Sequence, residues 1–431
     1  MSMRYTSLKA LQRPPRSAPA ETTAYPTLLD SDGISSHTIR PDVEHLAQVL
    51  GASTKTNQYG QFLSVRCWCA QPPCFLPDPR ALKLLLPEAP EEIADPGEWL
   101  FLDTETTGLS GGSGTYPFLV GLAWWEGGGL EIEQLFMREY SEERSLLFAL
   151  RERIAEHPVV VTFNGKSFDW PLLETRYRMT RKISAPTPRA HLDFLHPARH
   201  LWRLRLGSVR LSELERHVLG WDRGADLLSG LIPQIYFDYL RGGPPERLVP
   251  VLNHNQLDLR GLEALSSRIL SLLSDAETLG QDGLELFGVS RLCEKRGEDV
   301  RARSLYAKSI ASFLPTETDR VARRSLVRLA KRQGDFELAC ELWRDALGNS
   351  RHGYEAYEQL AIYYERKAGD PEQAREIVKQ ALDELRRAIQ VGDIAPGPYR
   401  EIKARFDHRM ERLGRKNQKP LLDGLAKPAH A

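Results

Sequence analysis

Cysteine is scarce in this sequence: five among 431 residues, three of them crowded between Cys67 and Cys74. Such spacing does not build a disulfide framework. Cys67-x-Cys69 with Cys74 is also a poor zinc set, because structural zinc sites prefer two or more residues between paired cysteines. A charge excess of either sign is missing as well, with Lys+Arg and Asp+Glu both at 58. Any attraction to a polyanion must therefore be local. Long apolar runs are absent; the longest, around Phe118 to Trp125, is far too short to span a bilayer. The first residues lack the apolar core of a signal peptide. No membrane association is expected, and a cytoplasmic address follows by default. No Gly-x-x-x-x-Gly-Lys loop and no Gly-x-Ser-x-Gly elbow occurs, so neither ATP use nor serine-hydrolase chemistry is indicated.

What is present falls into five stretches. Residues 1–44 are rich in Pro, Ser, Thr and Ala without periodicity and read as a flexible tail. Residues 45–95 hold one short β-like run, Gln61 to Trp68, followed by prolines, and read as a small lead-in region. From 96 to 275, a buried-strand run (Trp99 to Leu102), a hairpin (Tyr116 to Trp125, then Leu130 to Met137) and alternating strands and helices predict a mixed α/β domain. A long amphipathic helix closes it from about Leu248 to Leu273. Between 280 and 392 the pattern becomes helical hairpins with an internal repeat. Gly297, Gly334 and Gly369 are 37 and 35 residues apart, and Ala302, Ala339 and Ala374 each stand five residues after a glycine. A tight turn followed by a small residue where helices cross is similar to tetratricopeptide repeats. Because repeat units touch mainly their neighbours, the array is expected to be separable near residue 280. Residues 393–431 read as a basic tail.

Chemistry concentrates in carboxylates. Asp103 and Glu105 lie two apart on a predicted strand, so both face one side of the sheet. Neighbouring acids repel each other, and a divalent cation relieves that repulsion. An Asp-x-Glu pair alone is weak evidence, since surface strands often end in acids. Asp169 follows an apolar strand and an Asn-Gly loop, just before a helix. His254 and Asp258 are four apart on the long helix and so share a face; such a pair alone is more often a solvated surface contact.

The segment Asp103-Thr104-Glu105-Thr106-Thr107-Gly108-Leu109 resembles the first exonuclease motif of the DnaQ-like nucleases. Asn164-Gly165-Lys166-Ser167-Phe168-Asp169 with Pro171 is similar to the second, and His254 to Asp258 stands where the last belongs. With Gly108 to Gly112, Phe118 to Gly121 and His191 to Arg199, the chain most resembles the YprB-type family of RNase H-like (DEDD superfamily) exonucleases over about residues 95–270. The resemblance implies an α/β RNase H-like mixed sheet with flanking helices, followed by an all-α helical-repeat domain. It implies four metal-binding acids, Asp103, Glu105, Asp169 and Asp258, and two Mg²⁺ or Mn²⁺ ions. Metal-dependent 3′→5′ cleavage of DNA or RNA, at a single-stranded end, is the activity it implies. Thr106, Leu109 and Asn164 go with it as nucleic-acid contacts. One departure concerns the base: related branches carry histidine five residues before the last acid, or tyrosine four before. Here His254 stands four before and Asn253 five, so the base is open between His254 and none.

Between Arg176 and Arg210 nine basic residues face one acid, Asp193. Charge runs are usually solvated faces, but one beside a phosphodiesterase site reads as a phosphate track, with Arg199, Arg203 and Arg205 as contacts and Tyr177 and Trp202 among them. The alternative functions are a structure-specific endonuclease on the same scaffold and a nucleic-acid-binding adaptor whose repeat array is the working part. That array would also serve a protein partner.

Overall fold

The computed structural model describes residues 43–70, 78–88, 91–108, 114–224, 226–280, 282–347 and 354–418. The 1–42 tail and the segments carrying Cys74 and Leu109 lie outside them. Seven strands form one sheet: β1 (Ser53–Asn57), β2 (Gly60–Ala70), β3 (Trp99–Thr106), β4 (Pro117–Glu126), β5 (Gly129–Phe136), β6 (Val159–Thr162) and β7 (Ala190–Asp193). Their order is β1-β2-β5-β4-β3-β6-β7. The first five strands pair antiparallel, whereas β6 and β7 add in parallel beside β3. This is the mixed sheet of an RNase H-like fold, with helices on both faces. The stretch 45–95 is not a separate lead-in, because β2 hydrogen-bonds along its length to β5. Its alternation is weak in sequence, since Trp68 and Ala70 sit at exposed positions where a strand pattern expects polar residues.

Sixteen helices accompany the sheet among the described residues. They are α1 (Val43–Leu50), α2 (Pro79–Leu85), α3 (Glu143–Glu156), α4 (Asp169–Thr180), α5 (Leu195–Leu206), α6 (Leu211–Leu214), α7 (Ile232–Leu240), α8 (Val249–Ser274) and α9 (Ala276–Leu279), then α10 (Gly283–Lys295), α11 (Asp299–Ala311), α12 (Thr316–Arg332), α13 (Phe336–Leu347), α14 (Glu355–Tyr363), α15 (Pro371–Val391) and α16 (Pro396–Gln418). Strand β3 is apolar on both sides, as a central strand must be. Trp99 and Phe101 enter the core formed with α2, α5, α8 and α10, while Leu100 and Leu102 enter the one formed with α1, α3 and α7. Helix α8 serves both cores, with Val251 and Leu252 in the second and Leu259 to Leu273 in the first. His254 to Asp258 therefore occupy the crossing between the two faces. None of the described helices is long and apolar enough to cross a membrane.

Past residue 280 the chain is helical hairpins. Gly297, Gly334 and Gly369 all take positive φ (80°, 77° and 68°) at the turns, where a side chain would be strained. Ala302, Ala339 and Ala374 are fully buried at the crossings. Residues 396–418, expected as tail, form α16, whose Phe406 and Leu413 are buried against the last hairpin.

The first hairpin is built into the core of the sheet. Leu286, Phe287, Val289 and Leu292 belong to the same core as the sheet, and each buried side chain contributes roughly 1.5–3 kcal/mol. Gly288 lets α10 lie directly on α5; a Cβ there would be 2.6 Å from the His200 carbonyl. A chain ending at residue 280 is therefore expected to aggregate, whereas one ending near 347 keeps that core and should stay soluble. Size-exclusion chromatography of the two truncations checks this; a monomeric, folded 1–280 chain would contradict it.

Candidate metal centre

Three separate elements deliver the acids. Asp103 and Glu105 project from β3 just before it leaves β4, at an irregularity between Glu105 and Thr106. Asp169 is the first residue of α4, a position where the helix dipole favours a carboxylate. Thr104 donates from β3 to its Oδ1 at 2.5 Å. Asp258 comes from α8. Oxygen or nitrogen atoms of Glu105, His254 and Asp258 lie within 4.8 Å of one another.

The approach of α8 to the sheet depends on a buried amide chain. Asn255 Nδ2 donates to Asp103 Oδ2 at 2.8 Å. Gln134 on β5 donates to Asn255 Oδ1 at 2.8 Å and to the Leu252 carbonyl at 2.9 Å, and Gln256 donates to Gln134 Oε1 at 2.8 Å. Gly121, opposite Asp103 on β4, makes room, since a Cβ there would sit 2.1 Å from Asn255 Oδ1. Larger residues would push α8, and with it Asp258, off the sheet.

Asp193 has a structural task. Its carboxylate accepts the backbone N–H groups of Asn164 (2.8 Å), Lys166 (3.1 Å) and Leu195 (3.0 Å). It thus ties down the loop that precedes Asp169 and the start of α5. Asn164 takes a left-handed conformation in that loop, with φ at 70°.

Burial first, then the charges of Asp258, Glu105 and Asp169, hold the Asp103 carboxyl well above its ordinary range. Glu105 is raised likewise by burial and then by Asp258, Asp169 and Asp226. Asp169 is pushed up to about 6 by burial, against the hydrogen bond from Thr104. Carboxylates raised by burial, two of them also by one another's charge, are a hard-oxygen donor set, and a divalent cation offsets both effects. The residues present fit a divalent cation.

A second group of charges, absent from the sequence reading, lies in the loop after α6. His254 is buried, with Nδ1 2.8 Å from Asp226 Oδ1, and Nε2 3.3 Å from Ser229 Oγ and 3.5 Å from Asp258 Oδ2. Arg223 reaches Asp258 Oδ1 at 2.6 Å, Asp226 Oδ2 at 2.9 Å and Glu215 at 2.6 Å. Burial works against the Arg223 charge, but Glu215, Asp258 and Asp226 outweigh it. For Asp226, burial is outweighed by the hydrogen bonds from His254 and Arg223, and its carboxyl is held below the usual range. Residues 221–229 follow no recognisable motif, so only the geometry brings them to the site.

The expected phosphate track is interrupted. Arg205 pairs with Asp282 at 2.7 Å and Glu285 at 3.3 Å, which ties α5 to α10 instead of leaving the guanidinium for a ligand. Arg176 is buried against Glu143 and stacked over Tyr116. Trp202 is fully buried and donates to Glu285 at 2.8 Å, and Tyr177 is buried with its hydroxyl on the Leu147 carbonyl. Neither ring is free to stack on a base. Arg199 and Arg203 are exposed on α5, and Thr106 donates to the Gly108 carbonyl at 2.8 Å. Cys67 and Cys69 are half-buried free thiols, and burial pushes Cys67 up to about 11.

A family model of the RNase H superfamily, a nuclease superfamily, matches residues 100–270. The uncharacterized protein YprB of Bacillus subtilis (strain 168) is 30% identical over 287 residues, which are 66% of this chain and 69% of that protein. The chain belongs to the YprB family. The family B DNA polymerase of the archaeon Pyrobaculum calidifontis is similar over 49% of this chain and 29% of its own, with 15% identity and a TM-score of 0.35. The superfamily match runs from β3 into α8 and so includes Asp103, Glu105, Asp169, His254 and Asp258.

Proposed function

We propose that this YprB-family protein is a metal-dependent 3′→5′ exonuclease acting on single-stranded ends of DNA or RNA. The observation that carries the reading is the convergence of Asp103, Glu105, Asp169 and Asp258 from β3, α4 and α8 into one half-buried cluster. Two Mg²⁺ or Mn²⁺ ions held by these four acids would activate the attacking water and neutralise charge on the phosphate and on the leaving O3′. The chain's own residues do the rest. Asp226 can only accept at His254 Nδ1, so that nitrogen carries the proton, and Nε2, beside Ser229 Oγ and Asp258, is the nitrogen that takes one from water. Water attacks phosphorus, its proton passes to Nε2, and the P–O3′ bond breaks, with O3′ keeping the electron pair and taking a proton from solvent. The products are a 5′-mononucleotide and a strand ending in a 3′-hydroxyl. Asn255 and Gln134 keep Asp103 oriented while this happens, and Arg223 offsets part of the acidic charge beside Asp258.

Purified full-length protein, stripped of metal, is expected to be inert on end-labelled oligonucleotides and to be activated by Mg²⁺ or Mn²⁺. A cation that binds only the folded state also raises the melting temperature, by about 2.7 kcal/mol of stability at a hundred times its Kd. A ladder shortening from the 3′ end checks polarity, and parallel DNA and RNA substrates report the sugar preference. Full activity in excess EDTA after stripping would sink the two-metal reading.

A further inference from the structure

Beside Asp258, on the far side of Arg223, lies a cavity of about 370 Å³ lined by Glu215, Trp221, Asp222, Arg223, Leu257 and Arg260. Its charges are unevenly satisfied. Glu215 is paired with Arg223, and Asp222 accepts the Gly224 N–H at 2.9 Å. Arg260 has no such partner: among the described residues it makes no hydrogen bond or ion pair, and its Nε is buried without an acceptor. A half-buried guanidinium left unpaired is costly, and its planar fork is suited to two oxygens of a phosphate. In the same cavity wall Trp221 is 39% exposed. An exposed indole face is a platform for a nucleobase.

The cavity is tied to the metal centre. The link is Arg223, which lines the cavity while bonding Asp258 Oδ1. We propose that this cavity is a nucleotide subsite next to the reacting one, in which Arg260 holds a non-scissile phosphate and Trp221 stacks on its base. The inference rests on the nuclease reading above. It assigns substrate contact to the loop after α6, in place of Arg205, Tyr177 and Trp202, which the fold uses for packing.

The test is binding of labelled oligothymidylates, one and five nucleotides long, to the full chain carrying Asp103→Asn, in Mg²⁺ at several salt concentrations. Arg260→Gln should weaken the five-nucleotide probe about tenfold and lower the slope of log K against log salt by roughly 0.7, the loss of one single-strand phosphate contact. Arg260→Lys should restore the slope, because the charge returns, but only part of the affinity. Trp221→Ala should weaken the same probe by roughly 5- to 100-fold with the slope kept, as loss of a stacked base does. Trp221 is on the surface, so this variant keeps the test valid if Arg260→Gln folds poorly. The one-nucleotide probe should respond less to all three changes. Affinity and slope for the five-nucleotide probe that stay at parent values in both Arg260→Gln and Trp221→Ala would overturn the subsite and leave the nuclease reading standing. A parent that binds neither probe would overturn that reading as well.

Discussion

Asp103→Asn is expected to lower turnover by about 10³-fold or more and, in the absence of metal, to raise the melting temperature at pH 8. Both effects have one origin. Burial first, then the charges of Asp258, Glu105 and Asp169, raise the Asp103 carboxyl well above the ordinary range. The arrangement suits a cation and disfavours the metal-free fold. Losing one carboxylate from the donor set costs several kcal/mol of charge stabilisation, and each 1.36 kcal/mol is tenfold in rate. An amide can still accept the hydrogen bond from Asn255, so the packing of α8 should survive.

The pH dependence follows from the sign of the shifts. A carboxyl raised in the folded state binds its proton more tightly there than in the unfolded chain. Stability therefore falls as pH rises through the window between the two values, and the full penalty is present above it. For Asp169 that window runs from its ordinary 3.8 to about 6, and Asp103 and Glu105 shift in the same direction. In EDTA, the gain in melting temperature from Asp103→Asn should be small at pH 4 and grow toward pH 8, at roughly 2–4 °C for each kcal/mol. Thermal melts across that range, beside a single-turnover assay in Mg²⁺, check both halves. An Asp103→Asn protein that melts lower than wild type at pH 8 would show that the acids are not in mutual repulsion.

Much of this centre could be read in the sequence because its parts lie on regular elements. Period-two spacing set Asp103 beside Glu105, and period-3.6 spacing set His254 above Asp258. What escaped was whatever depends on tertiary contact. Gly121 reads as one more residue of an apolar strand; only the position of Asn255 shows why no Cβ is tolerated there. Arg223 and Asp226 sit in an irregular loop with no period to betray their direction. The basic run 176–210 misled for the same reason: Arg176 and Arg205 find acids 33 and 80 residues away in sequence, on α3 and at the start of α10. Charge counted along a chain does not say which charges are already paired. That the apolar faces of α5 and α10 meet each other could not be read either, because hydrophobic periodicity gives a face without naming its partner.

His254→Ala should lower kcat by roughly 10²–10⁴-fold, the usual range for a general acid–base group, with little change in metal affinity. The second half of that statement decides its role. Nε2 lies 3.5 Å from Asp258, and His254, Glu105 and Asp258 are close enough to share one cation. A histidine that served as a ligand would take metal affinity down with it, whereas a base acting on water would not. Asp226 separates these readings further, since it touches His254 through Nδ1 and holds the ring from the side away from Asp258. Asp226→Asn leaves all four acids in place but offers Nδ1 a weaker, uncharged acceptor; it should cost about 10–100-fold in kcat, as loss of an orienting partner does. Its effect must pass through the imidazole. The double variant should therefore be no slower than His254→Ala alone, an energy of interaction equal to the whole Asp226 effect. Arg223 also contacts Asp226, so circular dichroism and the metal-free melting curve must show that the loop remains folded. Metal titrations followed by calorimetry, beside kcat and KM for the three variants, test the chain of inference. Additive losses would separate Asp226 from His254, and a metal affinity weakened tenfold or more in His254→Ala would make the histidine a ligand and leave the water without a side-chain base.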